Sequence, residues 1–160
     1  MYYRQYLKIQ NGKLITTVLL PVNTPIMELT GTILNDNQID PTKIDAYLQI
    51  GVNTFLSPSG GLEDGLSHNC EPNCRLDIVG TRVFLYSLYV IPAGTALNID
   101  YSTTSTDTPD IWSMSCFCGS RKCRKIISGY TTLDITTKQT YEGKNMLPLY
   151  ILHPTMFQKT

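Results

Sequence analysis

Cys116, Cys118 and Cys123 stand in a C-x-C-x4-C pattern, with Gly119 directly after the second thiol. Thiolates one residue apart, followed by a glycine that lets the chain turn back, are able to converge on one metal ion. Ser120, Arg121 and Lys122 fill the gap and none is apolar, so ordinary core burial explains the three thiols poorly. A structural zinc site takes four ligands, which leaves one place open to Cys70, Cys74, His68 or His153. The basic group Arg121, Lys122, Arg124 and Lys125 reads as a solvated face on a turn.

Two further groups lie upstream. Ser67-His68-Asn69-Cys70-Glu71-Pro72-Asn73-Cys74 is polar and poor in strand and helix formers, the kind of irregular loop that carries function. Tyr101 closes the segment Ile91-Pro92-Ala93-Gly94-Thr95-Ala96-Leu97-Asn98-Ile99-Asp100-Tyr101. Taken singly, a tyrosine ending a strand is more often packing than catalysis, and a lone His68 is more often a satisfied structural histidine.

The elements that must position these groups are mostly strands. Tyr6 to Ile9, the turn Asn11-Gly12, Lys13 to Pro21 and Pro25 to Leu34 alternate apolar and polar residues. A bridging segment at 42–46 leads to a further strand over Tyr47 to Phe55 and a Ser/Pro/Gly loop from Ser57 to Gly65. Arg82 to Ile91 and Thr95 to Tyr101 are expected strands joined by a tight turn at Pro92-Ala93-Gly94, and 103–109 is a polar loop. Asp134 to Glu142 is expected to form a short helix before the apolar tail Met146 to Leu152.

The 160 residues, 42% hydrophobic, suffice for one core. Thirteen basic residues balance thirteen acidic ones, so there is no cationic excess to bind a phosphate backbone, and nucleic acid is not the expected partner. Leu14 to Val22 reads as a strand rather than a signal peptide, and no apolar stretch reaches the roughly 20 residues of a bilayer span. No membrane partner is therefore expected. The expected location is intracellular, cytoplasmic or nuclear, where thiols stay reduced and metal binding takes precedence over disulfides.

Three segments together carry a family resemblance. Ser67–Cys74 resembles the N-H-S-C-x-P-N signature of SET-domain methyltransferases, Ile91–Tyr101 resembles that family's I-x-x-G-E-E-L-T-F-D-Y, and Cys116–Cys123 resembles its post-SET zinc module. They occur in the family's order. The resemblance implies a mostly β SET-domain fold of small curved sheets, with a pseudoknot-like crossing of the Ser67 to Asn73 segment and the chain after Tyr101, and a zinc-bound C-terminal module. It divides the chain into a SET domain at 1–104, a post-SET zinc module at 105–130 and a C-terminal extension with a short helix at 131–160.

The activity implied is S-adenosylmethionine-dependent methyl transfer to the side-chain amine of lysine in a protein or peptide, with histone-like substrates expected. By the same resemblance Tyr101 is the catalytic residue. Lys13, Leu14, Ser67, His68, Asn69 and Phe117 contact the cofactor, the Ser67 loop largely through backbone groups. Cys70 joins Cys116, Cys118 and Cys123 on a structural zinc, and Cys74 has no assigned role.

The pattern also departs from the family. Ser67 and Asn69 stand where it has asparagine and serine, and Asn11-Gly12-Lys13-Leu14 keeps one glycine of its K-G-x-G pair. Asp64 and Gly65 occupy the places of an arginine and an aromatic residue, while Ile99 and Leu29 replace aromatic positions of the lysine channel. These departures set a second expectation beside the enzyme: a weak or inactive SET-like module that holds a peptide without transferring a methyl group.

Overall fold

The computed structural model describes residues 2–106 and 112–156. Strands β1 (Leu7–Gln10) and β2 (Lys13–Thr16) form a hairpin. Its two-residue turn, Asn11-Gly12, has φ of 52° and 72° at its central residues, the left-handed pair that matches strand twist. β3 (Pro25–Leu29) and β4 (Ile33–Asn35) follow. The single strand expected over 25–34 is broken because the chain turns at Gly31, where a Cβ would collide with the Ser57 carbonyl oxygen and the Leu56 side chain.

After the 3-10 segment Pro41–Ala46, capped by Asp40, the strand expected over 47–55 is a hairpin of β5 (Leu48–Gly51) and β6 (Thr54–Leu56). β6 is the centre of a three-stranded sheet, flanked by β4 and β5. The two-residue strand β7 (Ser67–His68) opens the signature loop. β8 (Cys74–Val79), outside the strands expected from alternation, pairs antiparallel with β9 (Arg82–Ser87), which sits between β8 and β3. Thr95 to Tyr101 is mostly irregular: only β10 (Asn98–Ile99) is strand, and Tyr101–Thr103 is already a 3-10 turn. The 107–109 part of the expected polar loop lies outside the described residues.

The parallel pairing of β10 with β7 lays the start of the signature loop against the strand that leads into Tyr101. Asn73 and Asn98 lock the pair through reciprocal amide bonds, Asn73 N–H to Asn98 Oδ1 at 3.0 Å and Asn98 N–H to Asn73 Oδ1 at 2.9 Å. Each also satisfies a backbone group that a loop would otherwise leave unpaired.

β11 (Ser113–Ser115) and β12 (Ile126–Ser128) form an antiparallel pair on either side of the cysteine triplet. Helix α1 (Ile135–Gly143) starts at the expected place because Asp134 caps it, its carboxylate accepting from the Thr137 amide at 2.9 Å. α2 (Leu149–Leu152) ends the apolar tail.

The main core, with Leu14, Leu20, Ile26, Val83, Leu85 and Leu97 fully buried, joins the β1–β2 hairpin to the β3–β9–β8 sheet. The C-terminal segment buries Leu133, Tyr141, Met146, Leu147, Tyr150 and Ile151 against Val52 in the β5–β6 turn, Ile78 on β8 and Leu88 just after β9. Gly65 shows how tightly the signature loop meets the hairpin. A Cβ there would strike the Ile9 side chain and stand 3.1 Å from the Leu14 nitrogen. Gly65→Ala is expected to lower stability by about 1 kcal/mol in urea titration, because Ile9 is able to swing but the β2 backbone must give way.

Candidate functional site

Cys70, Cys116 and Ile127 form a small buried cluster, with Tyr101, Trp112, Met114, Cys118 and Cys123 packed against it. The distant loops are thus brought together as expected: Cys70 Sγ lies 3.8 Å from Cys116 Sγ. Two thiolates each about 2.3 Å from a tetrahedral ion stand about 3.8 Å apart, so the spacing fits shared zinc. The ligand atoms of His68, Cys70, Cys116 and Cys118 all lie within 4.8 Å of one another. Cys123 is beside this group rather than in it, its thiol donating to the Cys116 carbonyl at 3.3 Å. Cys74 is elsewhere, fully buried in the main core.

The thiols differ electrostatically. Burial pushes the Cys70 thiol up to about 12, against the pull of the Arg124 amide and guanidinium. Burial likewise raises Cys74 to about 12, which makes it inert. Burial also acts on Cys118, but backbone groups and the neighbouring Cys116 and Cys123 thiols outweigh it and bring Cys118 down to about 7.

Asp100 is the hub between the cysteine group and the signature loop. Its carboxylate, with no exposed surface, accepts two bonds from Arg124, 2.6 Å from Nη1 and 2.8 Å from Nη2. It also accepts from the Tyr141 hydroxyl at 2.7 Å and the Ser102 amide at 3.0 Å. Burial alone would raise its pKa, yet the guanidinium and the hydroxyl hold it below the usual carboxylate range. Arg124 corrects the reading of 121–125 as a solvated face. Arg121, Lys122 and Lys125 are exposed, but Arg124 turns inward because a bidentate fork is what a buried carboxylate requires.

The His68 ring is largely buried beside this hub. Its Nδ1 accepts the Tyr101 amide at 3.2 Å, and its Nε2 lies 3.2 Å from Cys70 Sγ. Burial lowers its pKa, as does Arg124, while Asp100 opposes them, so the neutral ring is favoured. Neither Arg124 nor Tyr141 was expected to reach the site. Only Asp100, inside the matched motif, marked the place in sequence.

Tyr101 lies where the site opens into a cleft of about 840 Å³. Its hydroxyl donates to the Leu66 carbonyl at 3.0 Å. Burial raises its pKa, as does the Asp45 carboxylate, so the phenol stays protonated and able to donate. The walls include Leu66, Ile99, Trp112 and Tyr150, with the carboxylates of Asp36, Asp45, Glu63 and Asp64, and no basic side chain among the described residues. Three positions where the sequence departs from the family's channel, Leu29, Asp64 and Ile99, line it too.

The residues expected to contact the cofactor do not line this cleft. Ser67, His68 and Asn69 lie on β7 and the turn after it, with the Asn69 amide bonded to the Ile99 carbonyl at 2.9 Å. Gly65, two residues earlier, abuts the Lys13–Leu14 backbone, so the two groups are neighbours. Lys13 is exposed and the Leu14 side chain is wholly in the core. Phe117 exposes 90% of its surface.

The family model described as SET domain matches residues 11–102. The chain is 28% identical over 120 residues to the histone-lysine N-methyltransferase EHMT1 of Mus musculus, covering 66% of this chain and 9% of that protein. It is 26% identical over 131 residues to the histone-lysine N-methyltransferase SETD2 of Homo sapiens, covering 72% and 5%. Against the H3 lysine-36 specific histone-lysine N-methyltransferase of Aspergillus fumigatus the identity is 28% over 129 residues, covering 71% and 13%. The chain thus spans a small fraction of the length of these curated relatives.

Among solved structures, KRYPTONITE in complex with mCHH DNA, H3(1-15) peptide and SAH aligns with a TM-score of 0.58 at 18% identity, covering 72% of this chain and 27% of that one. This likeness shows the fold, which is the mostly β one expected. Because the family model covers the signature loop, the β10 strand and Tyr101 within more than half of the residues, this chain belongs to the SET-domain family.

Proposed function

We propose that this chain transfers a methyl group from S-adenosylmethionine to the side-chain amine of a lysine in a protein substrate, with Tyr101 as the catalytic residue. The observation that carries the reading is Tyr101 itself, a protonated phenol tethered to the Leu66 carbonyl at the wall of an acidic and apolar cleft. Histone-lysine methylation by the curated relatives, and SAH in the related solved structure, support substrate and cofactor classes.

The chain's own groups suit the task. Glu63 is already paired with Arg4 at 2.9 Å, and the remaining acidic lining, Asp36, Asp45 and Asp64, favours entry of a cationic side chain. Apolar walls then disfavour the ammonium relative to the free amine that must react, whose ordinary pKa is about 10.4. S-adenosylmethionine supplies the electrophilic methyl carbon. Tyr101, held by Leu66 at its hydroxyl and by His68 at its amide, aligns the amine, so orientation provides most of the acceleration. Lys13, Leu14, Ser67, His68, Asn69 and Phe117 are proposed for the cofactor. Incubation of the purified chain and labelled S-adenosylmethionine with lysine-containing peptides, histone tails included, tests the reading. Absence of both label transfer and calorimetric heat with S-adenosylmethionine would favour the peptide-holding module instead.

Zinc is proposed on Cys70, Cys116, Cys118 and Cys123 in a structural role, tying a post-SET module at 105–130 and an extension at 131–160 to a SET domain at 1–104. Metal analysis is expected to find about one zinc per chain, lost in Cys70→Ser and kept in Cys74→Ser. The reverse pattern would overturn the assignment. An intracellular location, cytoplasmic or nuclear, fits reduced thiols, and no described helix is long and apolar enough to cross a membrane.

A further inference from the structure

His68 bridges two groups that the proposed function keeps apart, the cysteine cluster and the catalytic tyrosine. The Tyr101 backbone N–H is only a donor, and it points at Nδ1 from 3.2 Å. Nδ1 therefore carries the lone pair, and the neutral ring has its proton on Nε2. Nε2 in turn lies 3.2 Å from Cys70 Sγ. Asp100 Oδ1 is 3.5 Å from Nδ1, but that carboxylate is already supplied by Arg124, Tyr141 and Ser102 and requires no proton from the ring. The imidazole is held against the Tyr101 ring, centroids 5.2 Å apart and tilted by 59°, with 7% of its side chain exposed.

We propose that His68 is a positioning residue: its Nε2–H donates to the Cys70 sulfur while its Nδ1 fixes the Tyr101 amide, so that the metal centre sets where the tyrosine stands. This rests on the zinc assignment and on the role of Tyr101 given above. It makes His68 neither a metal ligand, although its ring is near enough to be one, nor only a backbone contact to the cofactor. Outer donors of this kind orient first ligands and tune the metal, and their loss typically weakens metal binding about 10–100-fold.

The test separates the two ends of the ring and needs no methyl transfer, so failure of the enzymatic reading leaves it intact. In the zinc-loaded parent protein, nitrogen NMR of the histidine rings is expected to show His68 protonated at Nε2 and unprotonated at Nδ1. The chain has two histidines, so His153→Gln assigns the signals. Cadmium coupling to the His68 ring would overturn the proposal.

Two substitutions then cross. The amide of His68→Asn reaches the Nδ1 position and that of His68→Gln the Nε2 position. His68→Asn is expected to keep hydrogen-exchange protection at the Tyr101 amide but lose about 10–100-fold in zinc affinity. His68→Gln is expected to keep zinc affinity within about threefold but lose about tenfold or more in Tyr101 protection. The Leu85 amide, in the central sheet, reports any general unfolding, and then the parent spectrum decides. Stoichiometric zinc loss in both variants would make His68 a ligand, and no change in either readout would make it packing; both results reject the proposal.

Discussion

Tyr101→Phe is expected to leave the fold nearly intact and to lower methyl transfer by about a hundredfold. The change removes one hydroxyl from a half-buried ring that packs against both the main core and the cysteine cluster. The ring contacts survive. What is lost is the bond to the Leu66 carbonyl, worth about 1 kcal/mol to stability in a partly solvated setting. The rate effect is larger because an amine and a methyl carbon react only from a narrow range of approach, and an aligning contact of about 3 kcal/mol converts to roughly a hundredfold. Tyr86→Phe is the control. That ring lies on β9 beneath the Arg75 guanidinium, 4.6 Å from its centroid, and does not line the cleft. Equal turnover by both variants on a verified lysine peptide would show Tyr101 to be packing.

Arg124→Ala is expected to lower stability by about 3–5 kcal/mol, or roughly 10 °C in melting temperature. The arginine holds a carboxylate with no exposed surface, and its removal leaves Asp100 the Tyr141 hydroxyl and the Ser102 amide as donors. Exposed Arg121→Ala should stay within about 0.5 kcal/mol of the parent. The pH dependence identifies the cause. In the parent, the folded Asp100 pKa lies below the unfolded value of about 3.9, so its contribution is present above that pH and is lost as pH falls through the folded value. Without the guanidinium, burial raises the folded value instead. The gap between variant and parent should therefore narrow as pH falls from 7 towards 4. A gap independent of pH would mean that Arg124 acts through packing alone.

Local pattern determined a good part of this molecule. The Asn11-Gly12 turn, the Asp134-capped helix, the mostly β character and the ordered set of loop, strand and cysteine triplet are written in neighbouring residues, because turn geometry, capping and ligand spacing act over a few positions. The break at Gly31 and the splitting of 47–55 into a hairpin were not legible, since they depend on which strand comes to lie alongside. The β8 strand does alternate over Cys74-Arg75-Leu76-Asp77-Ile78, but it starts within the polar signature loop, and its pairing with β9 is what marks it as strand.

At the site the division is sharper. Spacing marked the cysteine triplet and the ordered family resemblance joined Tyr101 and Cys70 to it, but the sequence presented Arg124 as one of four surface cations and was silent on Tyr141. Those two reach Asp100 from 24 and 41 residues away, and a carboxylate stripped of water accepts whichever donors the fold brings to it. The direction of each imidazole nitrogen of His68 is likewise invisible in sequence. It is decided by the parallel pairing of β7 with β10, which sets the Tyr101 amide against one nitrogen and leaves the other facing Cys70.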